Sequence, residues 1–297
     1  MILLTGATGF LGSHILRFLL EKDYEVIILK RSFSNIWRVQ DLLKDTINYD
    51  LDKISLENIF EENEIKIVIH CATLYGRKGE KSSELLESNV IFPTTILEYG
   101  KDIDSFLNID TFSNQGLGLD NSVNFYSYTK YIFEELLRNQ FYTNIKIFNL
   151  KLDFVFGPKD SLEKFLPSVI MKMIENESVK MTKGEQNWNF IYVDDVVNAV
   201  GTILNRSNEF SRPGFYSFDV GTQKNTKLKD IVLMIRNLSD SKSKIDFGAI
   251  EYRKNEIFKR NNNIEPLLKL GWKPKYSIEE GLKNTINWYK RNQKGLI

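Results

Sequence analysis

Three glycines spaced three residues apart follow the first apolar stretch of the chain, in LLTGATGFLG. The pattern predicts a strand over 2–5, a tight turn, and a helix that begins near Phe10. Gly6 permits the turn, Gly9 lets the backbone approach a ligand, and Gly12 lets the helix pack closely on the strand. Because a helix N-terminus offers free amides and positive potential, the segment is typical of a site for a dinucleotide pyrophosphate. The expected contacts are Gly6, Thr8, Gly9, Phe10, Leu11 and Gly12.

The surrounding elements favour a nucleotide site over a purely structural turn, although G-x-x-G-x-x-G is less common than G-x-G-x-x-G. Short aliphatic strands are predicted in ILLTG, EVIILK, KIVIHCA, SFLNID and IKIFNLKLDFVF. Helices are predicted between them near 11–21, 56–63, 82–99 and 125–139, with Pro93 bending the third. Continuous apolar strands separated by helices favour a parallel sheet covered on both faces, the Rossmann-type doubly wound α/β plan.

The second half of the chain has a looser alternation of strands and helices and no clean boundary. We expect 1–156 to form the dinucleotide-binding domain, with 187–222 returning to it. The remaining segments, 157–186 and 223–297, are expected to form a smaller C-terminal substrate-binding lobe. Ligands of open α/β sheets bind beyond the carboxyl ends of the strands, so such a lobe would close a cleft over that edge.

Charge and composition exclude several classes of function. Lys and Arg number 40 against 39 Asp and Glu, a net charge of +1, so neither nucleic acid nor a membrane surface is an expected partner. One cysteine, Cys71, and two histidines leave no disulfide framework and no Cys/His metal cluster, so no metal is expected. No secretory leader or long apolar run is evident, and we expect a soluble cytoplasmic protein.

The end of the predicted second strand indicates which dinucleotide binds. Enzymes that use NAD often carry an acid there to hold the ribose hydroxyls, whereas this chain has Lys30, Arg31 and Ser32. Two cations and a hydroxyl suit a 2′-phosphate, so NADPH is favoured over NADH, with a solvated basic loop as the alternative. Past the third strand, Asp50 is placed to accept a hydrogen bond from the adenine amino group beside Leu51, or is a plain loop acid.

A second group of residues points to proton chemistry. Tyr126 and Lys130, in YSYTK, lie four residues apart and therefore on one face of the predicted helix. The Lys130 ammonium is expected to lower the pKa of the phenol, which could then exchange a proton near neutral pH. Thr111, at the carboxyl end of a predicted strand, could hydrogen-bond a substrate oxygen. Ser113 is the other candidate for this role. The structural alternative is that Thr111 only caps the end of the strand.

Motifs along nearly the whole chain resemble the extended short-chain dehydrogenase/reductase superfamily, in the branch that modifies nucleotide-activated sugars. They are TGATGFLGSH, VIHCAT, SNVIFPTTIL, YSYTK, VFGP, FIYVDDVVNAV, DVGT and LGWKPKYSIEEGLKNTINWY, in family order. The resemblance implies a catalytic triad of Thr111, Tyr126 and Lys130. It also implies that Asn89 and the segment Cys71, Ala72 and Thr73 line the nicotinamide half of the cofactor. Helices near 82 and 125 are the candidates for a homodimer interface.

The substrate end departs from the family pattern at two positions. Phe154 stands where relatives usually have Asn before VYGP, and Trp188 precedes Asn189 where they have Arg-Asp before FIxVDD. In the family, the usual residues help to hold the substrate's diphosphate or its surroundings. The resemblance therefore implies either a different position of the nucleotide or a larger share of the contact for Arg253 and Lys164.

Local residues separate the reactions that the superfamily carries out. The resemblance disfavours a 4,6-dehydratase, because Phe112-Ser113 follow Thr111 in place of the family's Asp-Glu pair. It also disfavours the epimerase-reductases, which use a cysteine near this strand end and a histidine further along the chain, neither of which occurs here. We predict NADPH-dependent reduction of a nucleotide-linked 4-keto-6-deoxy sugar, with 3,6-dideoxy sugars included, for surface polysaccharide synthesis. The alternatives are a nucleotide-sugar 4-epimerase and a catalytically silent NADP-binding regulator.

Overall fold

Strands and helices alternate along most of the chain, as the apolar pattern predicts. The computed structural model describes residues 1–114, 125–139, 144–252, 256, 258–259 and 261–292. The strands are β1 (Ile2–Thr5), β2 (Val26–Lys30), β3 (Ile47–Asp50), β4 (Ile67–His70), β5 (Ser105–Thr111), β6 (Lys146–Leu152), β7 (Phe154–Phe156), β8 (Val179–Met181), β9 (Asn187–Trp188), β10 (Phe190–Tyr192), β11 (Gly214–Val220), β12 (Thr226–Lys227) and β13 (Ile245–Phe247).

The α-helices that the structure describes lie mainly between these strands. They are α1 (Phe10–Glu21), α2 (Leu56–Glu62), α3 (Ser82–Leu86), α4 (Phe92–Tyr99), α5 (Phe125–Arg138), α6 (Phe165–Ile174), α7 (Val193–Arg206), α8 (Leu228–Ser239), α9 (Glu265–Lys269) and α10 (Ile278–Asn292). None of the helices in the described ranges is long and apolar enough to cross a membrane.

The chain divides into two compact units. The first unit is Met1–Leu152 with Val200–Asp219, and the second is Asp153–Ala199 with Val220–Ile297. Residues 153–156, 187–199 and 220–222 were expected to belong to the nucleotide-binding domain, but they fall in the second unit. The reason lies in strand pairing, because β10 pairs with β7 and β9 with β12 rather than with the large sheet.

The first unit is built on a seven-stranded sheet in the order β11-β6-β5-β4-β1-β2-β3. All pairings from β3 through β6 are parallel, so these strands end at the same edge. The reversal of strand order beside β1 places the glycine turn and the end of β4 together at that edge. The interior is apolar and almost fully buried, with Leu3, Ile27, Val68, Phe106 and Phe133 in one cluster. These features confirm the Rossmann-type fold.

The long helix predicted over 82–99 is interrupted at its centre. A π-helical turn over Glu87–Ile91 joins α3 to α4, and Pro93 lies in the first turn of α4. Proline has no backbone N–H to donate, so the regular ladder cannot run through this point and the local winding changes. The interruption presents Asn89 at the interior of the unit, where 1% of its surface is exposed.

The second unit contains three two-stranded pairs, β10-β7, β12-β9 and β13-β8, with α6, α8 and α10 beside them. Asp195, in the FIYVDD motif, fixes a later loop of this unit. Its carboxylate accepts hydrogen bonds from the backbone N–H of Lys275 (2.8 Å) and Tyr276 (3.2 Å), while its carbonyl accepts one from Trp272 Nε1 (3.0 Å). The motif therefore has a structural role at this aspartate.

Candidate active site

The glycine turn is packed tightly at Gly6 and Gly12 and is more open at Gly9. Gly6 has φ +69°, and a Cβ on it would lie 2.6 Å from the backbone nitrogen of Ala72. A Cβ on Gly12 would lie 2.1 Å from the Gly6 carbonyl oxygen, so the helix can approach the strand only without a side chain there. At Gly9 the single described atom within 4 Å of such a Cβ is the Gly6 oxygen, at 3.1 Å. Among the described residues no side-chain hydrogen bond caps α1 at Gly9. This cradle fits a pyrophosphate at the helix N-terminus.

A buried pair holds the end of β4 against this turn. Thr5 Oγ1 accepts hydrogen bonds from the backbone N–H of Cys71 and Ala72, both at 3.2 Å, and lies 2.9 Å from His70 Nδ1. A hydroxyl with two accepted bonds donates its one proton, so Nδ1 of His70 is the acceptor. Burial lowers the pKa of His70 well below its ordinary value, consistent with a neutral ring. Burial also raises the pKa of the Cys71 thiol to about 12, so Cys71 is unreactive at neutral pH.

Asn89 braces the segment that follows β4. Its Oδ1 accepts hydrogen bonds from the Leu74 N–H (2.8 Å) and the Thr73 hydroxyl (3.2 Å). Its Nδ2 donates to the Leu74 carbonyl (2.9 Å) and to Thr129 Oγ1 (3.0 Å). Both amide protons and both carbonyl lone pairs are therefore engaged. The geometry gives Asn89 the role of positioning Thr73 and Leu74 rather than of bonding a ligand itself.

The three residues of the expected triad lie together in the first unit. Thr111 ends β5, and the hydroxyls of Thr111 and Thr73 are within hydrogen-bonding reach of the Tyr126 phenol on α5. Ser113 lies next to Thr111, with the two hydroxyl oxygens 3.0 Å apart. One turn further along α5, Lys130 is 2% exposed and its Nζ donates to the Ile109 carbonyl at 2.8 Å.

The pKa of Tyr126 corrects one expectation from the sequence. Burial holds this pKa well above its ordinary value, and Tyr75 and Asp110 raise it further, whereas Thr111 and Thr73 lower it. Lys130 was expected to lower the pKa of Tyr126, but it is not among the described groups that shift this pKa. Its ammonium donates to the Ile109 carbonyl, and burial of the phenol dominates. Burial also lowers the pKa of Lys130 itself. The phenol therefore retains its proton at neutral pH.

A buried polar chain beside the triad was missed from the sequence. Asn108 Nδ2 donates to Asn149 Oδ1 at 2.6 Å, and Asn149 Nδ2 donates to Asp110 Oδ2 at 2.9 Å. Burial raises the pKa of Asp110, while Lys130 and the Asn149 hydrogen bond lower it. The available signal is the alternation of polar and apolar residues in FLNID and FNLKL, which is unusual for strands covered on both faces.

The residues expected at the adenosine end follow β2 and β3. Lys30 forms an ion pair with Asp50, which Lys53 also contacts at 3.1 Å; hydrogen bonds from both lysines lower the pKa of Asp50. Ser32 donates to Asp52 from its backbone N–H (2.7 Å) and its hydroxyl (2.6 Å), a partner that the sequence analysis did not identify. The Arg31 guanidinium lies 4.8 Å from the Phe33 ring centroid. Within the described ranges, no carboxylate forms an ion pair with Arg31.

Three of the residues expected at the substrate end, Phe154, Lys164 and Trp188, lie in the second unit. Phe154 and Trp188 are stacked, with ring centroids 4.3 Å apart and an interplanar angle of 17°. Lys164 forms an ion pair at 2.9 Å with Asp160, whose side chain is 2% exposed. Arg253 lies outside the described residues. Phe154 and Trp188, at the two positions that differ from the family pattern, thus form an aromatic pair, and part of the charge of Lys164 is balanced by Asp160.

Comparison with known proteins places this geometry in a family. Residues 2–221 match the NAD dependent epimerase/dehydratase family. The chain is 34% identical to a CDP-abequose synthase from Salmonella muenchen, over 96% of this chain and 97% of that enzyme. The fold is similar to that of UDP-glucose 4-epimerase from Thermotoga maritima, with a TM-score of 0.84, 22% identity, and 99% of both chains covered.

A second similar fold is that of UDP-glucuronic acid 4-epimerase from Bacillus cereus, solved with UDP-glucuronic acid and NAD. The TM-score is 0.83 at 22% identity, over 98% of this chain and 99% of that one. The glycine cradle and the Thr111, Tyr126 and Lys130 cluster agree with this relationship. The chain belongs to the NAD dependent epimerase/dehydratase family and is an NAD(P)-dependent enzyme of the oxidoreductase or epimerase type.

Proposed function

We propose that the protein is an NADPH-dependent ketoreductase that acts on C4 of a nucleotide-linked 4-keto-6-deoxy sugar. The candidate substrates include 3,6-dideoxy sugars. The place of this enzyme would be in surface polysaccharide synthesis, including O-antigen, in the cytoplasm. The observation that carries the proposal is the 34% identity, over nearly the full chain, to a CDP-abequose synthase. The protonated Tyr126 phenol beside Thr111 supports it, because ketone reduction needs a proton donor at that point.

The residues of the first unit supply the parts of this reaction that the cofactor does not. When bound, the nicotinamide supplies the hydride that is transferred to C4. Tyr126 donates its phenolic proton to the carbonyl oxygen, so one hydride and one proton convert the ketone to an alcohol. Thr111 holds that oxygen by a hydrogen bond in the position where negative charge develops. Lys130 places a positive charge one helical turn from the phenol and is expected to hold the nicotinamide ribose.

Preference for NADPH is supported by the charges after β2. Lys30 and Arg31 replace the acid that NAD-dependent relatives use, and Arg31 is the exposed cation of the two. The main alternative, a nucleotide-sugar 4-epimerase, is favoured by the similar folds of two 4-epimerases. An epimerase would give a product isomeric with its substrate and would consume no cofactor. A silent NADP-binding regulator is the third candidate, and the intact triad argues against it.

A homodimer is also part of the proposal. Large apolar side chains are exposed on the two helical segments expected at the interface, near 82–99 and 125–138. They are Ile91, Tyr99, Phe125, Tyr128 and Tyr131. A monomer would leave these groups in water, whereas a helical interface would bury them.

The direct test is a substrate panel. Purified protein is incubated with NADPH and CDP-, dTDP-, GDP- and UDP-linked 4-keto-6-deoxy sugars, cofactor oxidation is followed, and the C4 configuration of the product is read by NMR. We expect stoichiometric oxidation of NADPH with one of these donors. Tyr126→Phe should reduce turnover by orders of magnitude and leave NADPH binding nearly unchanged. An isomeric product without cofactor oxidation would replace the proposal with the epimerase.

A further inference from the structure

The loop after β4 brings an arginine close to the proposed proton donor. The Tyr75 ring packs against the Tyr126 ring, with centroids 4.8 Å apart. Gly76 adopts φ +69°, a left-handed turn, and on its far side the Arg77 guanidinium lies 4.9 Å from the Tyr75 centroid. Tyr75 thus contacts both the Tyr126 ring and the Arg77 guanidinium, and all three residues belong to the first unit.

The contact with Tyr75 fixes the guanidinium without using its hydrogen-bond donors. A cation over an aromatic face is held by the ring's electron density, and the planar N–H fork of Arg still projects outward. Across the described ranges, no carboxylate forms an ion pair with Arg77. Its charge is therefore available to an anionic ligand, in contrast to that of Lys164, which lies 2.9 Å from Asp160.

A nucleotide sugar can bridge the space between the phenol and this cation. With its C4 oxygen against Tyr126, the phosphorus attached to the anomeric oxygen lies about 6–7 Å away, as covalent bonds of about 1.5 Å require. The Tyr75 centroid lies 4.8 Å from the Tyr126 centroid and 4.9 Å from the Arg77 guanidinium, so the guanidinium is at most 9.7 Å from the centre of the Tyr126 ring, a range that accommodates this span. The fork geometry of a guanidinium suits bidentate contact with a phosphate.

We propose that Arg77, held in place by Tyr75, binds the sugar-linked phosphate of the nucleotide-sugar substrate and so sets the distance from that phosphate to the proton donor. The assignment rests on the proposed function for the identity of the substrate. It accounts for the binding of a diphosphate although Phe154 and Trp188 stand at the positions where relatives carry polar and cationic groups. The glycine cradle follows β1 and Lys30 ends β2, whereas Arg77 follows β4, and NADPH binding in the test below separates the cofactor's phosphates from the substrate's.

The test compares Arg77→Gln with Arg212→Gln. Arg212 is an exposed arginine of the same unit that lies far from the site. It is two residues before Gly214, whose N–H donates to the carbonyl of Ile145 immediately before β6. That end of β6 is opposite the strand ends that carry the site. Isothermal titration measures binding of CDP, dTDP, GDP and UDP, the matching monophosphates and NADPH. Arg77→Gln should weaken the preferred diphosphate by about 10-fold or more. The monophosphate and NADPH should bind as to wild type, and Arg212→Gln should change none of these affinities.

Variants of Tyr75 provide a second test of the same proposal. Tyr75→Phe keeps the aromatic face and should retain diphosphate binding, whereas Tyr75→Ala should weaken it in the same direction as Arg77→Gln. With the active donor sugar, Arg77→Gln should raise KM for that sugar far more than it lowers kcat. An unchanged diphosphate affinity in Arg77→Gln, an equal loss for the monophosphate, or the absence of diphosphate binding by wild type would each overturn the assignment. Because titration needs no turnover, failure of the panel to show ketoreduction is a separate result.

Discussion

The proton that the proposed reduction requires is kept on Tyr126 by its surroundings. Burial raises the pKa of the phenol, and the neighbouring Tyr75 and Asp110 act in the same direction. Lys130 is affected oppositely, because burial disfavours its charged form and lowers its pKa. The acid of the pair is therefore stable through neutral pH, and the cation is the group that titrates first on the alkaline side.

This order predicts the pH dependence of reduction. We expect kcat/KM for the keto sugar to be level through neutral pH and to fall at alkaline pH, with an apparent pKa below the ordinary lysine value of 10.5. The fall reflects loss of the Lys130 charge while Tyr126 remains protonated. A pH-rate profile measures it, and a rate that rises through neutral pH would contradict the assignment.

At the proposed adenosine end of the cofactor site, Asp52 would compete with a 2′-phosphate for Ser32. Its carboxylate accepts both donors of Ser32, the backbone N–H and the hydroxyl, where a 2′-phosphate would need them. Asp52→Ala should therefore tighten NADPH binding relative to NADH by about fivefold. Fluorescence titration with both cofactors checks this. Asp45→Ala, which removes an exposed carboxylate that precedes β3, at the opposite end of that strand from Asp52, is the control; an equal change in both variants would show a general charge effect.

Residues that act through local spacing could be predicted from the sequence, and residues that act across strands could not. Tyr126 and Lys130 share one helical face, and the glycines follow one strand, so their arrangement follows from helix and turn geometry alone. Asp52 and Tyr75 acquire their contacts from segments that only the folded sheet brings near, and nothing in their local pattern indicates a partner. For Asp110 the alternation in FLNID indicates a buried polar residue, but its partner Asn149 comes from another strand.

At the scale of elements, the π-helical turn before α4 has a specific purpose. It buries Asn89, whose amide joins the loop after β4 to Thr129 on α5. A bend at Pro93 could be predicted from the sequence, since proline breaks the ladder, but the change of winding and its hydrogen bonds depend on the packing of two other elements.

Replacing Asn89 tests this connection. Asn89→Leu leaves the backbone N–H and carbonyl of Leu74 without their partners in a part-buried position, which should destabilise the protein by about 2–4 kcal/mol. Urea denaturation measures the loss. Asn58→Ala, at an exposed position on α2, should stay close to wild type, and equal stability of the two variants would rule out the bracing role.

For the whole molecule, the alternation of elements was sufficient to predict the Rossmann-type sheet, but not the assignment of 187–199. These residues follow a helix-and-strand pattern that fits either unit, and their place depends on pairing with β7 and β12. Assembly is likewise a property of the complete surface, where apolar side chains on α5 and the π-helical turn are exposed.

The homodimer prediction follows from that surface. Introducing charge with Tyr128→Glu and Tyr131→Glu together should yield a monomer, because two carboxylates would be buried in the interface. Light scattering coupled to size exclusion determines the mass. Ile250→Glu changes a residue that is 51% exposed in the second unit and should leave the mass unchanged; a monomeric wild type would contradict the prediction.

The neutral His70 ring makes the protein sensitive to acid through proton linkage. The unfolded chain binds a proton at this residue below its ordinary pKa of 6.5, whereas the folded chain, with Nδ1 accepting from Thr5 and the ring buried, does not. The free energy of unfolding should therefore fall as pH drops below about 6.5, by at most about 1.4 kcal/mol per pH unit from this group. His70→Asn, which can keep an acceptor for Thr5, should flatten that slope in urea denaturation series across pH, and an unchanged slope would place the acid sensitivity elsewhere. The bond that holds β4 against the glycine turn thus also sets a lower pH limit on the fold.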